Sequence, residues 1–223
     1  MIPLKDNLRP RSYPFVNVSL ILLNILLFVY QLGLGRDEME AFLMLYGVIP
    51  QRFLAFTGHP FSAELWKPLI TSIFLHGGWL HLLGNMLYLW VFGANVEDRW
   101  GHGKYLLFYL LCGAIGGLFH IFANPHSPVP TIGASGAVAG ILGAYFIFFP
   151  LARVLTLVPI GFFLATFNIP AMLFLFLWFL LQFVNATMLA GAEMVAWWAH
   201  IGGFIFGAAS AILLLLWRKI LDW

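Results

Sequence analysis

Residues 133–149 read GASGAVAGILGAYFIFF, an uncharged run that begins with small residues and ends with aromatics. Its 17 residues rise about 25 Å as a helix, against a bilayer hydrocarbon core of about 30 Å. The run is therefore a short span, and Ser135 sits in its first turn, below the membrane surface. The approach, Ser127–Ile132, is tolerated at that depth only where protein or water covers it. Unpaired backbone N–H groups and the positive end of the helix dipole gather at such a turn and favour an anion. Two readings of Gly133-Ala134-Ser135-Gly136 stand side by side. Small residues let helices pack closely, or Ser135 is a nucleophile. Ala137 takes the string out of the G-x-S-x-G elbow pattern of soluble hydrolases.

The rest of the chain supplies the setting. Of 223 residues, 62% are hydrophobic and 9% charged, far from the about 25% charged of a soluble domain. Apolar runs predict six spans near 15–34, 79–95, 104–124, 133–149, 169–188 and 196–217. Stretch 35–78 predicts short interfacial helices. Stretch 150–168 is apolar but broken by Pro159 and Gly161, and reads as interfacial or partly inserted. No cleavage site follows the first run, which reads as an uncleaved span. The organisation expected is a cytoplasmic segment 1–14, an all-α membrane domain 15–217 and a cytoplasmic tail 218–223. With six spans, eight of the 11 Lys and Arg fall on the side of both termini and three on the other. The positive-inside rule then makes both termini cytoplasmic. Spans two, four and six all start near the outer leaflet. The net charge of +2 does not suggest a nucleic-acid partner. Cys112 is the single cysteine, which excludes an intrachain disulfide and reads as a small core residue.

Polar groups inside a membrane are functional candidates by default. Asp6, Asp37, Asp98 and Asp222 all lie outside the expected spans, which argues against aspartyl chemistry or a carboxylate proton relay. No HExxH is present, which argues against a zinc protease. His200, early in the sixth span, shares the depth of Ser135. A neutral imidazole can take a serine proton and return it to a leaving amine. The alternative is a hydrogen-bonded structural histidine. Gly136 and Gly140 on one span, and Gly203 and Gly207 on the other, are each one turn apart and permit close backbone approach. His81 and Asn85 share a helical face and can donate to an oxyanion, or form a packing contact. His76 either helps retain water in a cavity or is an ordinary interfacial histidine.

These residues together resemble the bacterial rhomboid proteases. The likeness is carried by His76, His81-Leu82-Leu83-Gly84-Asn85, Gly93, Glu97, Gly101, Gly133-Ala134-Ser135-Gly136, His200, Gly203 and Gly207. The resemblance implies a six-transmembrane-helix rhomboid-like bundle and a Ser135–His200 dyad without a carboxylate. It implies an oxyanion hole from His81, Asn85 and the Ser135 backbone, with Glu97 and the glycines in structural packing. It implies a serine endopeptidase of the bacterial inner membrane, with no cofactor or metal, cutting membrane-anchored and commonly single-pass substrates. The fifth span and the loop around Gly191–Glu193 are gate candidates on the same ground. Two positions depart from the family. Trp66-Lys67 stands where many members have Trp-Arg, and lysine lacks the planar fork of arginine. Ala139 stands where some carry an aromatic beneath the catalytic imidazole, which leaves open what orients His200, Trp197 and Trp198 being candidates. A non-proteolytic rhomboid-like binder of transmembrane segments is the alternative; a transporter predicts internal repeats, which the sequence lacks.

Overall fold

A computed structural model describes residues 1–55, 58, 62–161, 163–188 and 195–221. The gate candidate at Gly191–Glu193 lies outside them. Strand β1 is Ile2–Asp6 and is followed by helix α1, Phe15–Leu32. Three short helices follow, α2 (Arg36–Tyr46), α3 (Pro50–Ala55) and α4 (Ala63–Thr71). Helices α5 (Trp79–Trp100), α6 (His102–Ala123) and α7 (Ser135–Phe148) come next. Strands β2 (Arg153–Ile160) and β3 (Phe163–Pro170) lead into α8 (Ala171–Met188) and α9 (Trp197–Leu221). Helices α1, α6, α8 and α9 are each long and apolar enough to cross a membrane, and the exposed side chains of α1 and α8 are mostly large and apolar. These are the features of an integral membrane protein. Helix α5 is as long as α6 but carries Glu97, Asp98 and Arg99 near its end.

Helix α7 is the axis of the bundle. Residues Gly136 to Tyr145 are all buried, as expected for a helix apolar on every side. It packs against α5, α6 and α9. The approach is close because glycines meet backbone. A Cβ on Gly203 would overlap the Gly136 carbonyl, one on Gly207 the Gly140 carbonyl, and one on Gly143 the Phe204 carbonyl. A Cβ on Gly140 would overlap Cys112 Sγ, so the single cysteine fills a gap between α6 and α7.

The all-α expectation is corrected at 150–168. That stretch is a β-hairpin closed through Gly161 (φ +60°), and β1 completes an antiparallel sheet of order β1-β2-β3. Val154 and Thr156 point into the protein, while Arg153 and Ile160 stay exposed. This alternation suits a half-buried strand. β1 is also pinned by its side chain. Asp6 Oδ2 accepts hydrogen bonds from Asn95 Nδ2 at 2.8 Å and from Tyr145 Oη at 2.6 Å.

The end of the bundle that holds the sheet is built around Glu97. Its carboxylate accepts from the backbone N–H of Val16 (3.1 Å) and Asn17 (2.7 Å) and pairs with His102 Nδ1 at 2.5 Å. It thus caps the start of α1, where a negative charge is favoured. Gly93 leaves room for the Asn17 side chain, which bonds the Leu89 carbonyl and Tyr105 Oη. At the opposite end, an isolated bridge joins Val48 to Thr131. Gln31 holds the His76 backbone by two bonds, accepting from its N–H at 3.0 Å and donating to its carbonyl at 3.2 Å. Lys67 Nζ lies over the Tyr46 ring, 4.5 Å from its centre.

Candidate functional site

The end opposite the sheet opens into a cavity of about 1460 Å³. Ser135, His200, His81, Asn85, His120 and Gln182 all line it. No Asp, Glu, Lys or Arg does so among the described residues. The cavity forms where α5, α7 and α9 begin and α6 and α8 end.

Ser135 is the first residue of α7, with Ala134 as N-cap. The first-turn N–H groups there have no intrahelical acceptor. The entry is shaped by Gly133, whose φ of +122° is open to glycine and strained for other residues. Space demands glycine as well. A Cβ there would lie 2.5 Å from His81 Nε2 and 3.8 Å from Asn85 Nδ2. The polar tips of His81 and Asn85 therefore stand against the backbone just before Ser135.

His200 lies in the first turn of α9 and is 8% exposed. Gly136, after Ser135, lies against Ala199, before His200; a Cβ on Gly136 would be 3.5 Å from the Ala199 carbonyl oxygen. Small residues on both helices thus bring the two chain segments side by side. The His200 ring is edge-on to Trp197, with centres 5.8 Å apart at 89°, and near Trp178, 6.0 Å away at 35°. Its Nδ1 is 2.8 Å from Gln182 Oε1 on α8. That contact gives the imidazole a polar partner, and no aromatic stands at Ala139. Sequence reasoning missed Gln182; the signal available was an amide directly after the eleven apolar residues 171–181.

His76 does not line the cavity. It is 2% exposed and lies behind Asn85, with Nε2 at 3.1 Å from Asn85 Nδ2. Burial, with His81 beside it, pushes its imidazole down to about 3. It is therefore neutral near neutral pH and accepts from Asn85. His120 lines the cavity and contacts Asn124 Nδ2 through Nδ1 at 3.3 Å.

Comparison with known proteins gives the family. The rhomboid domain profile matches residues 62–217, which holds every residue named in the cavity. The chain belongs to the rhomboid family. It is 35% identical over 133 residues to rhomboid protease GluP of Bacillus subtilis, covering 60% of this chain and 23% of that protein. It is 38% identical over 84 residues to the putative rhomboid protease YdcA of the same organism, covering 38% of this chain and 41% of that one. The presenilin-associated rhomboid-like protein A of Danio rerio, a mitochondrial protein, is 30% identical over 176 residues, or 76% of this chain and 44% of the relative. The chain thus matches less than half the length of each of these rhomboid relatives.

Proposed function

We propose that this chain is an intramembrane serine endopeptidase that cuts membrane-anchored, commonly single-pass proteins near the outer boundary of the bilayer. The reading rests on one observation. Ser135, His200, His81 and Asn85 line a single cavity at the start of three helices. In this reading α1 and α5 to α9 are six crossings, residues 15–217 are the protease domain, and both termini face the cytoplasm of a bacterial inner membrane.

Ser135 Oγ attacks a substrate carbonyl while His200 takes its proton. The resulting oxyanion accepts hydrogen bonds from His81, Asn85 and the Ser135 N–H. Donors held in place before charge develops are worth most in a water-poor site. His200 returns its proton to the leaving amine, and water from the open cavity hydrolyses the acyl-enzyme. Helical carbonyls are already hydrogen-bonded, so the substrate helix must unwind at the cut. Residues that weaken helices, Gly and Pro, favour this. His76 supports the site by holding Asn85 from behind.

The nucleophile is tested with a serine-directed phosphonate. Purified wild-type protein is expected to be labelled, and Ser135→Ala to be neither labelled nor able to cleave a tagged transmembrane substrate. Equal labelling of the two proteins rejects Ser135. Binding of the substrate with no product from wild type supports a non-proteolytic rhomboid-like protein instead.

A further inference from the structure

We infer that Gln182 is a positioning residue that fixes the tautomer of His200, leaving the lone pair on Nε2. The inference rests on His200 acting as the base for Ser135, and it follows from a chain of hydrogen bonds whose polarity has one solution. Gln182 Nε2 lies 3.1 Å from the Trp178 carbonyl oxygen, one helical turn back on α8. A carbonyl only accepts, so the amide NH2 is committed to it and the orientation of the amide is set. Oε1 is then the atom 2.8 Å from His200 Nδ1. An amide oxygen also only accepts, so Nδ1 carries the imidazole proton. A neutral imidazole has one N–H, which leaves Nε2 free to receive a proton. Trp178 and Trp197 hold the ring on two sides.

The same role is filled in soluble serine proteases by a buried carboxylate. Here the acceptor is uncharged. Gln182 is 7% exposed, and an ionised carboxylate buried at that depth carries a large desolvation cost. The amide secures orientation without placing a charge in the bundle. It also stabilises the imidazolium less than a carboxylate does, so His200 rests neutral and gives its proton up readily. The titratable cavity groups facing His200 are His81 and Tyr88 on α5 and His120 on α6. Helices α7 and α8 add none among the described lining residues.

The test uses the full chain in detergent, with Gln182→Leu and Gln182→Glu beside wild type. Histidine nitrogen NMR, assigned by loss of one signal in His200→Asn, reads the tautomer directly. Wild type is expected to show His200 protonated on Nδ1, and Gln182→Leu to show a mixture. Gln182→Leu should lower kcat by about 10- to 100-fold, a part of the about 10²–10⁴ that general-base catalysis supplies, with KM changed less than about 2-fold. Gln182→Glu keeps the acceptor and adds a charge that favours imidazolium. It should retain the Nδ1–H tautomer and move the acid limb of kcat up by about one pH unit or more. An Nε2–H tautomer in wild type overturns the inference. So does a Gln182→Leu protein with unchanged tautomer, kcat and pH profile. Should Gln182→Leu not fold, the wild-type tautomer and the Gln182→Glu profile decide. A Ser135→Ala protein that still cleaves would instead remove the dyad, while the tautomer measurement would still decide the role of Gln182.

Discussion

His81 and His200 line the same cavity with opposite hydrogen-bond polarity. The Gly77 N–H donates to His81 Nδ1 over a long 3.4 Å, which leaves the His81 proton on Nε2, beside Gly133. One imidazole is set to donate and the other, through Gln182, to accept. Asn85 gives one amide hydrogen to His76 and keeps another for the cavity. Loss of one oxyanion donor typically costs about 10²–10³ in rate, or about 2.7–4 kcal/mol. Asn85→Ala is therefore expected to leave residual activity, whereas His200→Ala removes nearly all turnover. Residues of one catalytic unit act non-additively, so Asn85→Ala added to Ser135→Ala should cost little more. Initial cleavage rates, with thermal stability recorded for each variant, check this. An Asn85→Ala protein that melts early yet cleaves at the wild-type rate would make Asn85 a packing residue. Ser135, His200, His81 and Asn85 were legible as candidates because each is a polar group near the start of an apolar run. Gln182 was not, because no spacing rule links a side chain to a partner 18 residues away on another helix.

Strand β1 shows where sequence reading of elements stops. Apolar runs long enough to span leave a strong local signal, and the structure has a helix at each of the six. The sheet leaves none, since Ile2 pairs with Leu157 and Asp6 with Val154. A five-residue strand carries too little pattern to announce a partner at residues 154–157. Its anchor yields a pH prediction. Burial raises the Asp6 carboxyl above its usual range, against the pull of hydrogen bonds from Tyr145, Leu8 and Asn95. The folded state thus favours the protonated acid. Stability from this group is full below the unfolded value of about 3.9 and is lost as pH rises through the folded value. Asn at this position keeps an acceptor oxygen for Tyr145 and carries no charge. Asp6→Asn should therefore gain thermal stability relative to wild type as pH rises from about 4 to neutrality. Melting curves in detergent across that range measure the difference. A difference that stays flat, or reverses, means that Asp6 is stabilised as the carboxylate.

Across the whole molecule, the contacts sort the chain into two ends. One holds the sheet, the Glu97 cap at the start of α1, and Arg218 Nη2 donating to the Arg99 carbonyl at 2.6 Å. The other holds α2, α3 and α4, the bridge to Thr131 and the cavity. The N-terminus, the 153–170 hairpin, the α5–α6 turn and the end of α9 therefore share a side by direct contact. The charge count is independent of those contacts. Lys5, Arg9, Arg11, Arg99, Lys104, Arg153, Arg218 and Lys219 belong to the sheet end, and Arg36, Arg52 and Lys67 to the cavity end. On the proposed six-crossing reading, the positive-inside rule puts the richer side in the cytoplasm. That proposed orientation would open the cavity outward, where the proposed substrate would be cut. It is tested in intact cells with an impermeant maleimide and single cysteines in a Cys112→Ala background. Glu40→Cys is expected to react at once. Arg153→Cys and Lys219→Cys should react only after the membrane is permeabilised. Protection of Glu40→Cys together with labelling of Lys219→Cys would invert the protein in the membrane. Different behaviour of Arg153→Cys and Lys219→Cys would be more damaging, because it would separate the hairpin from the end of α9 and so deny the sheet end itself.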